Sequence, residues 1–424
     1  MNDNSQPSLF DVYLQYVSNT EPPIIFHRWA FIGCVSALLG RNVWLPFGAV
    51  GRIFPNQFIM LIGDPGTRKS TAIKIASRLL AKTGYDKFAG NKTSKEKFLA
   101  DLEGQDDAAD PRVSSADAMT ALLGSTVTDP REVFICADEF NDFMRAGDLE
   151  FHSMLGALWD WDNEETPYTY RLKNSKSISI YQPTVNLLGG NTHTNFAEMF
   201  PPQALGQGFL SRMISEPSRR KIAFPEPPDA GLEQVLLRRF AQIKAKIVGK
   251  MTLSPRAKEV ITYLYNSYDP LDDIRFVSYS TRRYTHLLKL CVICAASRFS
   301  MEIDYCDVVE ANSILSYAEN FMPTALGEFG RSKNSAVQQK VLEFLRASRE
   351  PIDIGDIWRQ VSNELERSED LQRLMTGLQQ AGKVQYIKRV NPNAPFGFVA
   401  LRPTVETTAL HKNVSILPEY RDAR

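Results

Sequence analysis

Residues 53–70 read IFPNQFIMLIGDPGTRKS, an apolar run that breaks at a glycine turn and closes on Lys-Ser. An apolar run of this length bounded by a turn predicts a strand buried on both faces. The following STAIKIASRLLAKTG sets Ile73, Ile75, Ala76, Leu79 and Leu80 at helical spacing and stops at Gly84. The segment is therefore strand, loop, helix. Gly63 and Gly66 supply the tight part of the turn, because glycine permits positive φ and close approach to a ligand.

Backbone N–H groups that converge at a helix start bind anions. At this spacing Lys69 reaches the β and γ phosphates of a nucleotide, and the Ser70 hydroxyl binds Mg2+. Gly63, Asp64, Pro65, Gly66, Thr67, Arg68, Lys69, Ser70 and Thr71 thus form the candidate loop, with ATP and Mg2+ as its ligands. One position departs from G-x-x-x-x-G-K-[ST]: Arg68 stands for the second glycine. A side chain there fits if it points away from the phosphates. It then faces a neighbouring subunit; the alternative puts it on the phosphates.

A second motif, VFICADEF, ends an apolar strand on Asp138-Glu139. After a phosphate loop, such a pair divides its labour. Asp138 supports Mg2+, and Glu139 polarises the attacking water. Without that loop, two acids are an ordinary solvated strand end. A third strand, PTVNLLGGNT, presents Asn191 at its tip, either to orient water or as a turn residue after two glycines. Arg212, in the apolar GFLSRMI, either snorkels or enters a neighbour's site to stabilise transition-state charge.

YTYRLKNSKSISIYQ (168–182) predicts a hairpin with a basic tip. Arg171, Lys173 and Lys176 are candidate phosphate contacts for nucleic acid, or a solvated edge. The chain carries 49 basic and 49 acidic residues, which excludes coating of nucleic acid by bulk charge but not a local basic surface. Hydrophobic content of 43% predicts a globular protein, and 424 residues allow two or three domains.

Five cysteines in a chain of this length predict a reducing compartment. Cys291-x-x-Cys294 sits in an apolar stretch and reads as helix core. The Trp159–Trp161 pair also reads as core. No secretory leader opens the sequence and no apolar run approaches ~18 residues, so the expectation is a cytoplasmic protein without a membrane span.

Composition shifts divide the chain. Residues 1–50 are expected to be an N-terminal helical segment, 51–215 the α/β core, and 216–230 a Pro- and charge-rich linker. A helical lid follows at 231–330, and 404–424 form a tail. Residues 334–403 read helix, helix, helix and two strands, the order of a winged helix.

GDPGTRKS, DEFNDFM, GGNT, GFLSRMI and STRRYTHLLKLCVICAASRFS together resemble successive motifs of the AAA+ ATPases. They are most similar to those of the minichromosome maintenance replicative helicases, whose loop also lacks the second glycine. This sequence differs at Arg68 for alanine, Asn141 for a second acid and Met213 for phenylalanine. HRW before the core and RKS closing the loop also resemble phage and prophage P-loop proteins. The resemblance implies an AAA+ P-loop core (a parallel sheet flanked by helices) with a helical lid and a C-terminal winged helix.

It also implies roles. Glu139 is the base, Asn191 the sensor beside it, and Arg212 a finger acting on a neighbour's nucleotide. Arg282 is the second sensor, with Arg283 adjacent and the register between them open. The function it implies is a homo-oligomeric, hexameric ring that moves single-stranded or forked DNA, beside other replication or mobile-element proteins. The alternative is an ATPase switch that loads or remodels a protein partner. A blander reading, structural nucleotide binding only, is opposed by Asp138-Glu139.

Overall fold

Two helices open the chain. Ser8 caps α1 (Leu9–Tyr16), its hydroxyl accepting from the Asp11 N–H at 3.1 Å. Helix α2 (Ile24–Leu39) is apolar on every side and correspondingly buried around its circumference. It packs against β3 (Phe58–Ile62), which follows the antiparallel pair β1 (Val43–Phe47) and β2 (Gly51–Ile53). All five β3 residues are buried. The computed structural model describes residues 7–49, 51–104, 130–145, 147–171, 177–199, 213–215, 228–270 and 276–322. In the C-terminal unit it describes 337, 340–342, 344–345, 348, 350–362, 365, 367–380, 384–387 and 396–400. The chain divides into two compact units between Leu326 and Gly327.

After the phosphate loop come α3 (Lys69–Ala81) and α4 (Lys95–Glu103), then β4 (Glu132–Ala137), a short helix α5 (Phe140–Phe143) and α6 (Leu149–Trp159). The expected hairpin is present as β5 (Tyr168–Tyr170) and β6 (Ile178–Ile180), paired antiparallel. Strand β7 (Thr184–Asn191), buried at every position, leads into α7 (His193–Met199), and β8 (Met213–Ser215) completes the sheet. The main sheet is parallel throughout, in the order β4-β7-β3-β8. A parallel bridge from Phe88 to Phe134 extends the β4 edge. The α/β expectation is met: a parallel sheet with helices packed on it.

The expected lid is not helical throughout. Helices α8 (Ala230–Lys246), α9 (Pro255–Ser267), α10 (Val277–Ser297) and α11 (Tyr305–Glu319) alternate with two-residue strands. These are β9 (Gly249–Lys250), β10 (Thr252–Leu253) and β11 (Glu302–Ile303). Strand β9 pairs in parallel with β1, and β10 with β11. Two residues are too short to display an alternating pattern, so sequence periodicity passes over them. Nor do 1–50 and 231–330 stand apart from the sheet. Phe31 of α2 stacks on Phe240 of α8 at 5.6 Å, and the Tyr16 hydroxyl donates to Glu233 at 3.0 Å. Among the described residues no helix is long and apolar enough to cross a membrane.

The second unit holds helical positions at 337, 340–342 and 344–345, then α12 (Ile354–Val361), α13 (Ser368–Gln380) and the antiparallel pair β12 (Val384–Ile387) and β13 (Gly397–Ala400). Ile352 bridges to Phe398 and adds a third short strand. Leu345, Ile357, Val361, Leu371, Met375 and Phe398 form its core. The order of elements is the expected one. The 404–424 tail lies outside the described residues.

Helix α2 approaches the sheet closely at Gly33, where an added Cβ would lie 3.3 Å from Ile59 Cδ1 and 3.7 Å from Leu188 Cβ. Gly33→Leu is expected to lift the helix and cost about 1–3 kcal/mol by overpacking. Urea denaturation checks this, as a lower midpoint at unchanged slope.

Candidate active site

The loop leaves β3 at Gly63, whose N–H donates to the Asn191 carbonyl at 3.3 Å. The Thr67 hydroxyl donates to the Asp64 carbonyl at 2.8 Å and closes the turn. Gly66 holds φ +85°, a conformation that a side chain would strain. Asp64, Pro65 and Gly66 are exposed, while Thr67 and Lys69 are buried. The Lys69 ammonium donates to the carbonyls of Gly63 (2.7 Å) and Asp64 (3.0 Å). Burial holds its pKa below the usual lysine range, and the charges of Glu139 and Asp64 oppose that shift. Lys69 begins α3, with Ser70 half-buried and Thr71 exposed in its first turn. The N–H groups of that turn are the elements of an anion site.

Arg68 adopts φ 63° and ψ 27°, the left-handed region, as the N-cap of α3. A glycine occupies this region freely; an L-residue pays about 1–2 kcal/mol. The side chain leaves the loop, and its Nε donates to Glu21 Oε2 at 2.5 Å. Glu21 lies in the turn between α1 and α2, so this contact is within the chain itself. Arg68 thus points off the loop, as its tolerance requires.

Asp138 and Glu139 follow β4 at the same edge of the sheet. The Asp138 carbonyl passes so near β7 that a Cβ on Gly190 would lie 2.4 Å from it. Glycine here is a packing requirement that a reading of turn chemistry missed. The Asp138 carboxylate pairs with the Lys74 ammonium. Lys74 is four residues beyond Ser70, so the two share a face of α3. The Ser70 hydroxyl and Asp138 carboxylate are hard oxygen donors of the kind Mg2+ takes, with phosphate and water completing its shell.

Asn191 joins the pieces. Its carbonyl accepts from Gly63, and its Nδ2 donates to Asn141 Oδ1 at 3.0 Å. Its own Oδ1 accepts from the Thr192 N–H at 2.9 Å, which fixes the amide orientation. Asn141 therefore connects the turn after β4 to the tip of β7. Sequence reasoning missed Asn141, Lys74 and Glu21 as site residues. Lys74 carried a signal in its four-residue spacing from Ser70 and Asn141 in its departure from the resembled motif, while Glu21 carried none.

Other expected residues do not gather here. Arg282 pairs with Asp160 at 3.1 Å. Asp160 follows Trp159, whose carbonyl accepts from Asn56 Nδ2 at 3.0 Å. Asn56 precedes β3, seven residues before Gly63, or roughly 20 Å along an extended chain. Arg282 thus stands toward the amino end of the sheet, and the structure does not bring this second-sensor candidate to the loop of its own chain. Arg283 is buried: its Nε donates to Glu319 at 2.5 Å and its Nη2 to Asn312 at 2.9 Å, with Tyr268 4.7 Å beneath. It is a packing residue between α10 and α11.

Arg212, Lys173 and Lys176 lie outside the described residues. Arg171 is exposed immediately after β5. The hairpin root is braced by α4, because the Ser179 N–H donates to Glu103 at 2.7 Å and Lys95 sits 5.1 Å over the Tyr170 ring. Cys291 and Cys294 are buried free thiols, the expected helix core, and burial pushes both well up. Trp159 is likewise buried, its Nε1 donating to the Asn56 carbonyl at 3.2 Å.

Compared with known proteins, the sequence matches no protein-family model and no curated protein.

The two adjacent arginines separate by stability. Arg283→Met leaves the Glu319 carboxylate buried and uncompensated, an expected loss of about 3–5 kcal/mol. Arg282→Ala removes an exposed pair worth less than ~1 kcal/mol. Paired denaturation curves check the difference; equal losses would contradict the assignment.

Proposed function

We propose that this protein is a Mg2+-dependent ATP hydrolase that moves DNA as a homo-oligomeric ring. The observation that carries the reading is Asn191. It bonds the first residue of the phosphate loop through its backbone and the acidic turn through its side chain. Three segments far apart in sequence thereby meet at the carboxyl edge of a parallel sheet, where open α/β folds bind ligands. In this reading the N–H groups of the loop and Lys69 hold the β and γ phosphates. Ser70 and Asp138 hold Mg2+, which supplies charge neutralisation on the phosphates. Glu139 orients the attacking water.

The hairpin supports contact with DNA, since α4 braces the root from which the exposed Arg171 follows. One observation favours the second reading, a switch acting on a protein partner. Helix α13 opens with the exposed Glu369 and the half-buried Asp370, and their charge repels phosphate.

ATP hydrolysis by the purified protein is expected to rise with single-stranded DNA, with strand displacement from a forked duplex. Lys69→Ala abolishes both, and Glu139→Gln retains ATP binding while losing turnover. Hydrolysis indifferent to DNA without strand displacement favours the protein-partner switch. Full turnover in Glu139→Gln removes the hydrolase reading.

A further inference from the structure

The loop treats its two cationic side chains differently. Lys69 folds inward onto the carbonyls of Gly63 and Asp64. Arg68 turns outward and holds Glu21. A guanidinium at the N-cap of α3 sits at the positive end of the helix dipole, an unfavourable place unless an anion compensates it. Glu21 is that anion. Its side chain is 15% exposed and is followed by Pro22-Pro23, so the turn carrying it is stiff. The Arg68 side chain is 47% exposed and leaves the loop at a flexible stem. One partner is held while the other has room to turn.

In the phosphate-loop reading a nucleoside triphosphate brings a second anion to the loop beside Arg68, with more charge than a carboxylate. A planar guanidinium binds phosphate oxygens in a two-pronged fork. Resting on the phosphate-loop reading above, we propose that Arg68 is the residue by which the loop tells a triphosphate from a diphosphate. Glu21 is its resting partner and competes with the terminal phosphate for it. The left-handed backbone at residue 68 aims the side chain off the loop onto Glu21, from which it would turn back to the terminal phosphate. Arginine at the glycine position then exchanges a small backbone cost for a side chain that reports the terminal phosphate. Glu21, in turn, links that report to the turn between α1 and α2.

Calorimetric titration of the full-length protein with ADP and with the β,γ-imido analogue of ATP tests this. Glu21→Gln frees Arg68 and is expected to tighten the triphosphate about tenfold, the scale of a charge-assisted hydrogen bond, with ADP within about twofold. Arg68→Gly suits the left-handed backbone, so the loop keeps its fold. It is expected to weaken the triphosphate about tenfold and leave ADP within about twofold. The double variant should match Arg68→Gly alone in its triphosphate-to-diphosphate ratio, because the proposed discrimination runs through Arg68. An unchanged triphosphate-to-diphosphate ratio in Glu21→Gln, or equal weakening of both nucleotides in Arg68→Gly, overturns the proposal. Lys69→Ala separates the two levels. If it binds the triphosphate as wild type does, the phosphate-loop reading falls and this proposal with it. If Lys69 is required and the ratio stays fixed, only the role of Arg68 is lost.

Discussion

Ile62 of β3 stands opposite Asn191 of β7 in a parallel pairing, and the arrangement at the edge of the sheet follows from that register. Both strands end at one level, so the Gly63 N–H closes onto the Asn191 carbonyl. On the far side of β7, Ala137 stands opposite Gly189, which brings Asp138 alongside Gly190. Parallel strands deliver all their carboxyl ends to one edge, so the turns after β3, β4 and β7 have no other place to meet. A slip of one residue in β7 would turn Asn191 to the opposite face and part the two turns.

The sheet holds that register because both of its faces are covered. Helices α2 and α3 pack together on one face, α2 through Gly33 beside Ile59 and Leu188, while Trp159 of α6 packs on Phe58 on the other. Several buried polar groups between α2 and the strands are hydrogen-bonded. The Ser36 hydroxyl donates to the Pro55 carbonyl at 2.7 Å, and Asn186 Oδ1 accepts from the Gln57 N–H at 2.9 Å. Arg41, at the end of α2, donates to the carbonyls of Trp161 and Pro183 and stacks 4.0 Å over Phe54. Burial lowers its pKa to about 10, which leaves it charged at neutral pH. These contacts hold α2 against the strands that carry the site.

Much of this was legible along the chain. The run FIMLI, the glycine turn and the Ile73–Leu80 spacing each report a local conformation, and each appears where the pattern puts it. The same holds for the hairpin at 168–180 and for the order of elements in the C-terminal unit. The two-residue strands β9, β10 and β11 were not legible, because a strand that short has no period. The continuity of α2 and α8–α11 with the sheet was not legible either. An all-round apolar helix announces that it is buried, without saying against what.

Sequence by itself determined the conformations and chemical inventory of the site: a buried strand, a loop able to take positive φ, a helix start, and two carboxylates after a second strand. These depend on neighbours within a turn or two, and local sterics fix them. Tertiary structure alone decided which side chains meet. It set Arg68 on Glu21, Lys74 on Asp138 and Asn191 on Asn141. It also sent Arg283 into the core while its neighbour Arg282 went to the far end of the sheet. Adjacent arginines on one helix are alike in propensity and charge. Only the 100° between successive residues, read against what packs on each side, tells them apart.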